Sequence, residues 1–162
     1  MPKNDPVAYV QDFYADQFAW CYGCGRFNKD GHHFRTRWDG DNTLTEYTPR
    51  PEHIAIPGFV YGGLLASLID CHSTGSAALA LYHRDGHQLG DDAPVPRCMT
   101  ASLKVDYLKP TPLGPVLTVR GNIAEIGTRK VVVKSGVYVG DELCVKGEVV
   151  AVVARIGQEH QR

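Results

Sequence analysis

Hydrophobic and polar residues alternate with a period of two through much of the second half of the chain. In residues 99–107, Met, Ala, Leu, Val and Tyr alternate with Thr, Ser, Lys and Asp. Such alternation is typical of a strand with one face toward a core. The same period predicts three further strands, at 117–123, 131–139 and 143–153. Short turns separate these three strands, which predicts an antiparallel meander.

Residues 62–82 show a different pattern, because they begin with two glycines, are rich in Leu and Ala, and lack alternation. This predicts one long helix that is apolar nearly all round and therefore surrounded by other elements. Earlier in the chain, short alternating stretches at 34–38 and 44–48 predict two strands joined by a turn. Residues 5–18 predict a short N-terminal helix.

The order of two strands, one long helix and four strands defines an α+β chain. A twisted antiparallel sheet wrapped around one long central helix would bury both the helix and the apolar strand faces. This is the hot-dog arrangement. We therefore expect an N-terminal helical extension over 1–20, a hot-dog domain over 21–156 and a C-terminal tail over 157–162.

The composition narrows the classes of partner. The chain has 162 residues, of which 43% are hydrophobic and 22% charged, as in a soluble globular domain. A net charge of -1 indicates neither a nucleic-acid partner nor an anionic membrane. The start lacks the apolar segment of a secretory signal, and the apolar stretch 59–81 carries too many glycines and polar residues for a membrane span. Five cysteines, an odd number, argue against a disulfide framework and favour a cytoplasmic location.

Asp70 is the only formally charged residue between Glu52 and Arg84. It falls in the middle of the predicted helix, so we expect a buried carboxylate that needs dedicated hydrogen-bond partners. Two interpretations stay open from the residues alone. Asp70 is either a functional carboxylate or a structural one that bonds to neighbouring hydroxyls.

Gly62 and Gly63 lie at the predicted start of the helix, two turns before Asp70. The first N–H groups of a helix lack partners and lie at the positive end of its dipole. A carbonyl oxygen could approach them closely in the absence of side chains, as in an oxyanion hole. Two glycines also permit close packing of a helix on a loop, and this alternative is equally open.

Three segments carry a family resemblance. They are CYGCGRFNKDG (21–31), PGFVYGGLLASLIDCHSTGSAA (57–78) and MTASLKVDYLKPTPLG (99–114). In this order they resemble the PaaI-type hot-dog acyl-CoA thioesterases, in the subgroup with a Cys-x-Gly-Cys-Gly opening. The resemblance covers most of the chain, from about residue 21 to residue 154.

The resemblance implies an acyl-CoA substrate, no cofactor, and an active site at the interface of a homodimer, or of dimers paired into a homotetramer. By position, Asp70 would be the general base or the nucleophile. Gly62 or Gly63 would supply the backbone N–H for the thioester oxygen. Thr100 would orient the attacking water from the partner subunit.

Four further residues are candidates for substrate binding. Tyr61 stands where the family has a His, a departure that bears on substrate choice. His53 could add a polar group from the same loop. Arg129 and Lys130 resemble a basic pair that contacts the coenzyme, although surface basic residues are common without such a role.

Cys21 and Cys24 form a CxxC pair with His32 and His33 nearby, which suggests half of a zinc site. No second CxxC exists in the sequence, so we expect no metal. Cys71 and Cys144 are expected to pack as small apolar groups. His72 follows Asp70 by two residues and would point to a different helix face, which predicts a buried histidine rather than an Asp–His dyad.

The competing function is a non-catalytic acyl-CoA-binding sensor with the same fold. A sensor has no need of an acid beside the thioester, so Asp70 is the residue that discriminates between the two classes.

Overall fold

A six-stranded antiparallel sheet packs against one long helix in this computed structural model, which describes residues 7–155. The helix α1 spans Gly62–Arg84, and the strands are β1 (Thr36–Asp39), β2 (Asn42–Tyr47), β3 (Cys98–Tyr107), β4 (Leu117–Ile126), β5 (Lys130–Val139) and β6 (Glu142–Val153). The strand order is β1-β2-β4-β5-β6-β3, and every neighbouring pair is antiparallel. The predicted hot-dog fold and the β4–β5–β6 meander are confirmed.

The helix α1 is the centre of the core. Every residue from Cys71 to Tyr82 is buried. The two basic residues His83 and Arg84 lie in the last turn, where a positive charge interacts favourably with the negative end of the helix dipole. The helix is long and apolar enough to cross a membrane, but 83% of its most apolar window is buried inside the protein. It is therefore built as the core helix of this domain.

Two glycines let the sheet approach the helix closely. A methyl group at Gly147 on β6 would collide with Ile69, and one at Gly121 on β4 would collide with the His72 imidazole. Ile69, one residue before Asp70, and His72, two residues after it, are thus held directly against the sheet.

The N-terminal region differs from the single helix predicted over 5–18. It forms two 3-10 helices, Val10–Phe13 and Asp16–Phe18, separated by extended backbone. Gln11 docks this region on β1, because its side chain accepts a hydrogen bond from the Thr36 N–H at 2.7 Å and donates to Thr36 Oγ1 at 3.1 Å. Tertiary hydrogen bonds thus replace a regular helix. Residues 5 and 6 of that prediction, and the predicted tail at 157–162, lie outside the described residues.

Strand β3 forms one edge of the sheet and pairs only with β6 in the described part of the chain. Its alternation predicts a half-buried strand, yet Met99, Leu103 and Tyr107 are 52%, 40% and 53% exposed. The apolar set of β3 is therefore largely uncovered within one chain.

Candidate active site

One stripe of the first three helical turns is open. Gly63, Ala66, Ser67 and Asp70 follow one another at spacings of three and four residues, so they share a face, and all are exposed or half-buried. Asp70 ends the stripe, because every helix residue from Cys71 to Tyr82 is buried. The expectation of a fully buried Asp70 is therefore wrong. The open face consists of small side chains, which the sequence pattern does not distinguish from the apolar core positions of the helix.

The Asp70 carboxylate has one hydrogen-bond partner among residues 7–155. Thr100 Oγ1 on β3 donates to Asp70 Oδ1. The register of β3 against β6 shifts between Thr100 and Ser102, which is a β-bulge that re-aims side chains at this point. Both residues belong to the same chain, so the expectation that Thr100 reaches this Asp70 from a partner subunit is wrong.

The start of α1 is fixed by two hydrogen bonds. The Tyr61 N–H donates to the His53 carbonyl at 3.0 Å, and the Tyr107 hydroxyl donates to the Gly62 carbonyl at 2.7 Å. The N–H groups of Gly62 and Gly63 have no acceptor among residues 7–155. They lie at the positive end of the dipole and are free to bind an oxygen from a ligand.

Both glycines also allow close packing. A methyl group at Gly63 would collide with the ring of Tyr61, and one at Gly62 would come within 3.2 Å of the Tyr107 ring. The two interpretations of the glycine pair are therefore compatible, because aromatic rings cover the Cα atoms while the N–H groups stay unpaired. Gly63 and Asp70 are separated by two turns, roughly 10 Å along the axis.

His53 lies beside the site without pointing its imidazole into the stripe. The side chain is 5% exposed, its Nδ1 accepts from the Arg50 N–H at 3.0 Å, and its ring packs against His32 and Tyr47. Burial lowers the pKa of the His53 imidazole, with a further lowering by the Arg50 charge. The backbone carbonyl of His53, not its ring, contacts the helix start through Tyr61.

Arg129 and Lys130 are not brought together with the other candidates within one chain. Arg84, the last residue of α1, donates to the carbonyls of Gly127 and Thr128. The basic pair thus lies near the C-terminal end of a helix whose start is roughly 33 Å away at 1.5 Å per residue. Arg129 is also engaged locally, since its guanidinium donates to the Val153 carbonyl at 3.1 Å.

His72 is a buried structural histidine, as predicted. It is 0% exposed, and its ring nitrogens lie 2.8 Å from Thr45 Oγ1 and 3.3 Å from Thr43 Oγ1 on β2. Burial lowers the pKa of His72 to about 3. It faces β2 and β4 while Asp70 faces β3, so the two residues form no dyad.

A cluster of three thiols, which sequence reasoning missed, lies on a different side of α1 from Asp70. The sulfur atoms of Cys21, Cys24 and Cys71 all lie within 4.8 Å of one another. Cys71 therefore does not pack as an isolated apolar group. His32 and His33, the expected neighbours of the CxxC pair, are not part of the cluster. The one sequence signal was Gly23, where a side chain would collide with the Cys71 sulfur.

The three thiols have unequal affinities for protons. Hydrogen bonds from the Cys24 and Cys71 thiols lower the pKa of Cys21, the most exposed of the three. The hydrogen bond that Cys24 donates to Cys21 raises the pKa of Cys24 to about 12, and the corresponding bond raises the pKa of Cys71. Among the three, Cys21 therefore releases its proton most readily.

The chain belongs to the thioesterase superfamily, whose family model matches residues 57–146. The acyl-coenzyme A thioesterase THEM4 of Mus musculus is 32% identical over 104 residues, which cover 64% of this chain and 39% of that protein. THEM4 of Xenopus laevis is 30% identical over 110 residues, which cover 68% and 43%. The chain spans about two fifths of the length of these relatives.

Solved structures share the fold. A thioesterase superfamily protein from Shewanella loihica PV-4 is 42% identical, with a TM-score of 0.63 over 85% of this chain and 96% of that chain. A Streptococcus mutans protein bound to acetyl-CoA has a TM-score of 0.59 and 18% identity over 75% of this chain and 88% of that chain, and it supports the fold alone.

Proposed function

We propose that this chain hydrolyses acyl-CoA thioesters to the free acid and CoA, with Asp70 as the reacting carboxylate. One observation carries the proposal. The open stripe of the helix begins beside the free N–H groups of Gly62 and Gly63 and ends at Asp70, its one charged side chain. The Asp70 carboxylate accepts a hydrogen bond from the Thr100 hydroxyl. The names of the THEM4 relatives support a CoA thioester as substrate.

The thioester carbonyl oxygen would bind at the N–H groups of Gly62 or Gly63. Negative charge that develops on this oxygen would be stabilised by the N–H donors, and loss of one such donor typically costs about 3–4 kcal/mol of barrier. Gly63 and Asp70 of one chain are roughly 10 Å apart along the helix axis, so the carboxylate that acts on this acyl carbon would be Asp70 of the second copy. That carboxylate would either deprotonate a water that attacks the acyl carbon or attack that carbon itself, giving an anhydride that water then hydrolyses. In both routes one water is consumed, the C–S bond breaks, and the CoA thiolate leaves and takes up a proton.

Thr100 would act on the reaction through Asp70. Its hydroxyl donates to one carboxylate oxygen, which leaves the other oxygen for the water or the acyl carbon. Tyr61, 41% exposed at the start of the stripe, would contact the acyl group. His53 would position Tyr61 through its backbone carbonyl rather than bind substrate with its ring.

The substrate site would be completed by a second copy of the chain. Strand β3 presents a ten-residue edge with exposed Met99, Leu103 and Tyr107, and a long unpaired apolar edge is a template for pairing. Two copies paired along β3 would extend the sheet across the dimer and cover the open stripe. Dimers could assemble further into a tetramer, and the free cysteines are compatible with the reducing cytoplasm.

The test is release of free CoA thiol from a panel of aliphatic and aryl acyl-CoA esters. We expect turnover on part of the panel and its near-complete loss in Asp70→Asn. The matched control is Asp141→Asn, the same change at an exposed aspartate in the β5–β6 turn, which should retain full activity. Circular dichroism and gel filtration would verify that both variants keep the fold and the assembly of the parent.

Two results would contradict the proposal. One is an Asp70→Asn variant that turns over as fast as the Asp141→Asn control. The other is tight binding of acyl-CoA with no turnover in any variant, which would make the chain a sensor.

A further inference from the structure

The three thiols of Cys21, Cys24 and Cys71 lie outside the proposed reaction. Cys21 and Cys24 come from the loop before β1, whereas Cys71 comes from the middle of α1. Their sulfur atoms lie within 4.8 Å of one another, with 4.0 Å between Cys21 and Cys71. Three thiolates on a tetrahedral Zn²⁺ at 2.3 Å would be roughly 3.8 Å apart. The observed spacing is thus within an ångström of that of a metal site.

The loop is shaped to present two sulfurs to the third. The Gly25 N–H donates to the Cys21 carbonyl at 2.7 Å, which closes a tight turn around the CxxC pair. A methyl group at Gly25 would collide with the backbone at Cys21, and one at Gly23 would collide with the Cys71 sulfur. Both glycines are therefore required for the approach of the helix thiol to the loop thiols.

The surroundings supply one positive charge. The Arg97 guanidinium lies 3.9 Å from the Cys24 sulfur and donates to the Cys98 carbonyl at 2.8 Å, and no carboxylate of residues 7–155 forms an ion pair with it. Three thiolates, one Zn²⁺ and one guanidinium sum to zero. A neutral set is what a half-buried site requires, because a net charge there is costly.

A buried polar group without a partner packs against Arg97, the residue that contacts the Cys24 sulfur. The Tyr14 hydroxyl is buried and makes no hydrogen bond to any described residue, and the Arg97 guanidinium lies 4.7 Å from the centroid of its ring. A zinc ion with three protein ligands keeps a fourth position for water. A water bound to the ion would add a hydrogen-bonding group to the surroundings of the cluster.

We propose that Cys21, Cys24 and Cys71 form a three-thiolate site for a thiophilic divalent cation, with Zn²⁺ as its occupant and water as the fourth ligand. Binding releases to solvent the protons of those thiols that are protonated. The ion would tie the loop before β1 to α1 one residue after Asp70. The ion would stand apart from thioester hydrolysis, since Cys71 and Asp70 point to different sides of the helix.

The experiment titrates the reduced full chain with Zn²⁺ in competition with a chromophoric chelator, and separately with Co²⁺ as a spectroscopic probe. We expect one equivalent of metal per chain, with thiolate-to-cobalt charge-transfer bands and intense visible bands typical of tetrahedral coordination. In Cys21→Ser, whose side chain is half-exposed and whose replacement spares the core, affinity should fall more than about tenfold, a loss that even outer-shell changes cause at metal sites.

The matched control is Cys144→Ser, a buried thiol on β6 outside the cluster, which should keep the full equivalent. Equal zinc binding in the two variants would overturn the proposal, since the metal would then lie elsewhere. Absence of binding by the reduced parent chain would also overturn it, including the case in which Cys21 is recovered only as a disulfide. The readouts are stoichiometry and spectrum, so they are independent of thioester hydrolysis.

Discussion

His72 gives a quantitative prediction about stability and pH. Its imidazole is fully buried between α1 and β2, with hydroxyls of Thr43 and Thr45 as neighbours. Burial lowers its pKa to about 3 in the folded chain, from an ordinary value of 6.5. The unfolded chain therefore binds a proton at pH values where the folded chain does not. Stability from this group is fully present above pH 6.5 and is lost as the pH falls from 6.5 toward 3.

The magnitude follows from the interval between the two pKa values. Each pH unit inside that interval costs about 1.4 kcal/mol of unfolding free energy. At pH 5.0, which is 1.5 units below the ordinary value, His72 alone should remove about 2 kcal/mol relative to pH 7.5. This is a large share of the stability of a typical domain, which totals about 5–15 kcal/mol.

The assay is urea unfolding at fixed protein concentration, at pH 7.5 and 5.0, of the parent chain, His72→Gln and His83→Gln. The His83→Gln control changes an exposed histidine on the same helix. Between the two pH values, His72→Gln should lose about 2 kcal/mol less than the parent, whereas the control should follow the parent. Burial also lowers the pKa values of His32 and His53, but their effects are common to all three proteins and cancel. Equal losses in His72→Gln and the parent would refute the reasoning.

Three further predictions concern the site and the core. Thr100→Val removes the hydroxyl that donates to Asp70. Because a hydrogen bond to a charged group is worth about 1.5–3 kcal/mol, kcat should fall about 10- to 150-fold, whereas Thr100→Ser should stay near the parent. Equal rates in the two variants would contradict this. Gly147→Ala should lower the unfolding free energy, measured in urea, by about 1–3 kcal/mol, because the added methyl group collides with the helix. The control Gly127→Ala, in an open turn, should change it by less than about 0.5 kcal/mol. Lys130→Ala should raise KM for acyl-CoA up to about tenfold and leave KM for the matching acyl-pantetheine thioester unchanged, if Lys130 contacts a coenzyme phosphate; equal effects on both substrates would exclude that contact.

The periodicity of the chain predicts most of the fold. The helix over 62–82 was found at Gly62–Arg84, and the four later strands were found with ends within a few residues of the expected ones. These elements are long and strongly patterned, so local sequence determines them. The prediction of a single helix over 5–18 was wrong because Gln11 hydrogen-bonds to β1. Local periodicity does not report such a tertiary contact.

The candidate site was only partly accessible to sequence reasoning. Asp70 is conspicuous as a lone charge, and its partner Thr100 was identified, but the chain that contributes it was not. A β-bulge decides where Thr100 points, and no sequence period encodes a bulge of this kind. The thiol cluster was missed because its third member lies about fifty positions away from the CxxC pair, and only the fold brings it there.

Strand β3 touches the helix at both ends of the open stripe, since Thr100 bonds to Asp70 and Tyr107 bonds to the Gly62 carbonyl. The edge strand proposed to pair with a second copy thus also contacts the carboxylate proposed to react and the helix end proposed to bind the thioester oxygen. Assembly and turnover would then be linked by mass action, and dilution below the dissociation constant of the dimer would lower activity per chain. Specific activity measured across a dilution series would therefore report the dissociation constant of the dimer without any label on the protein.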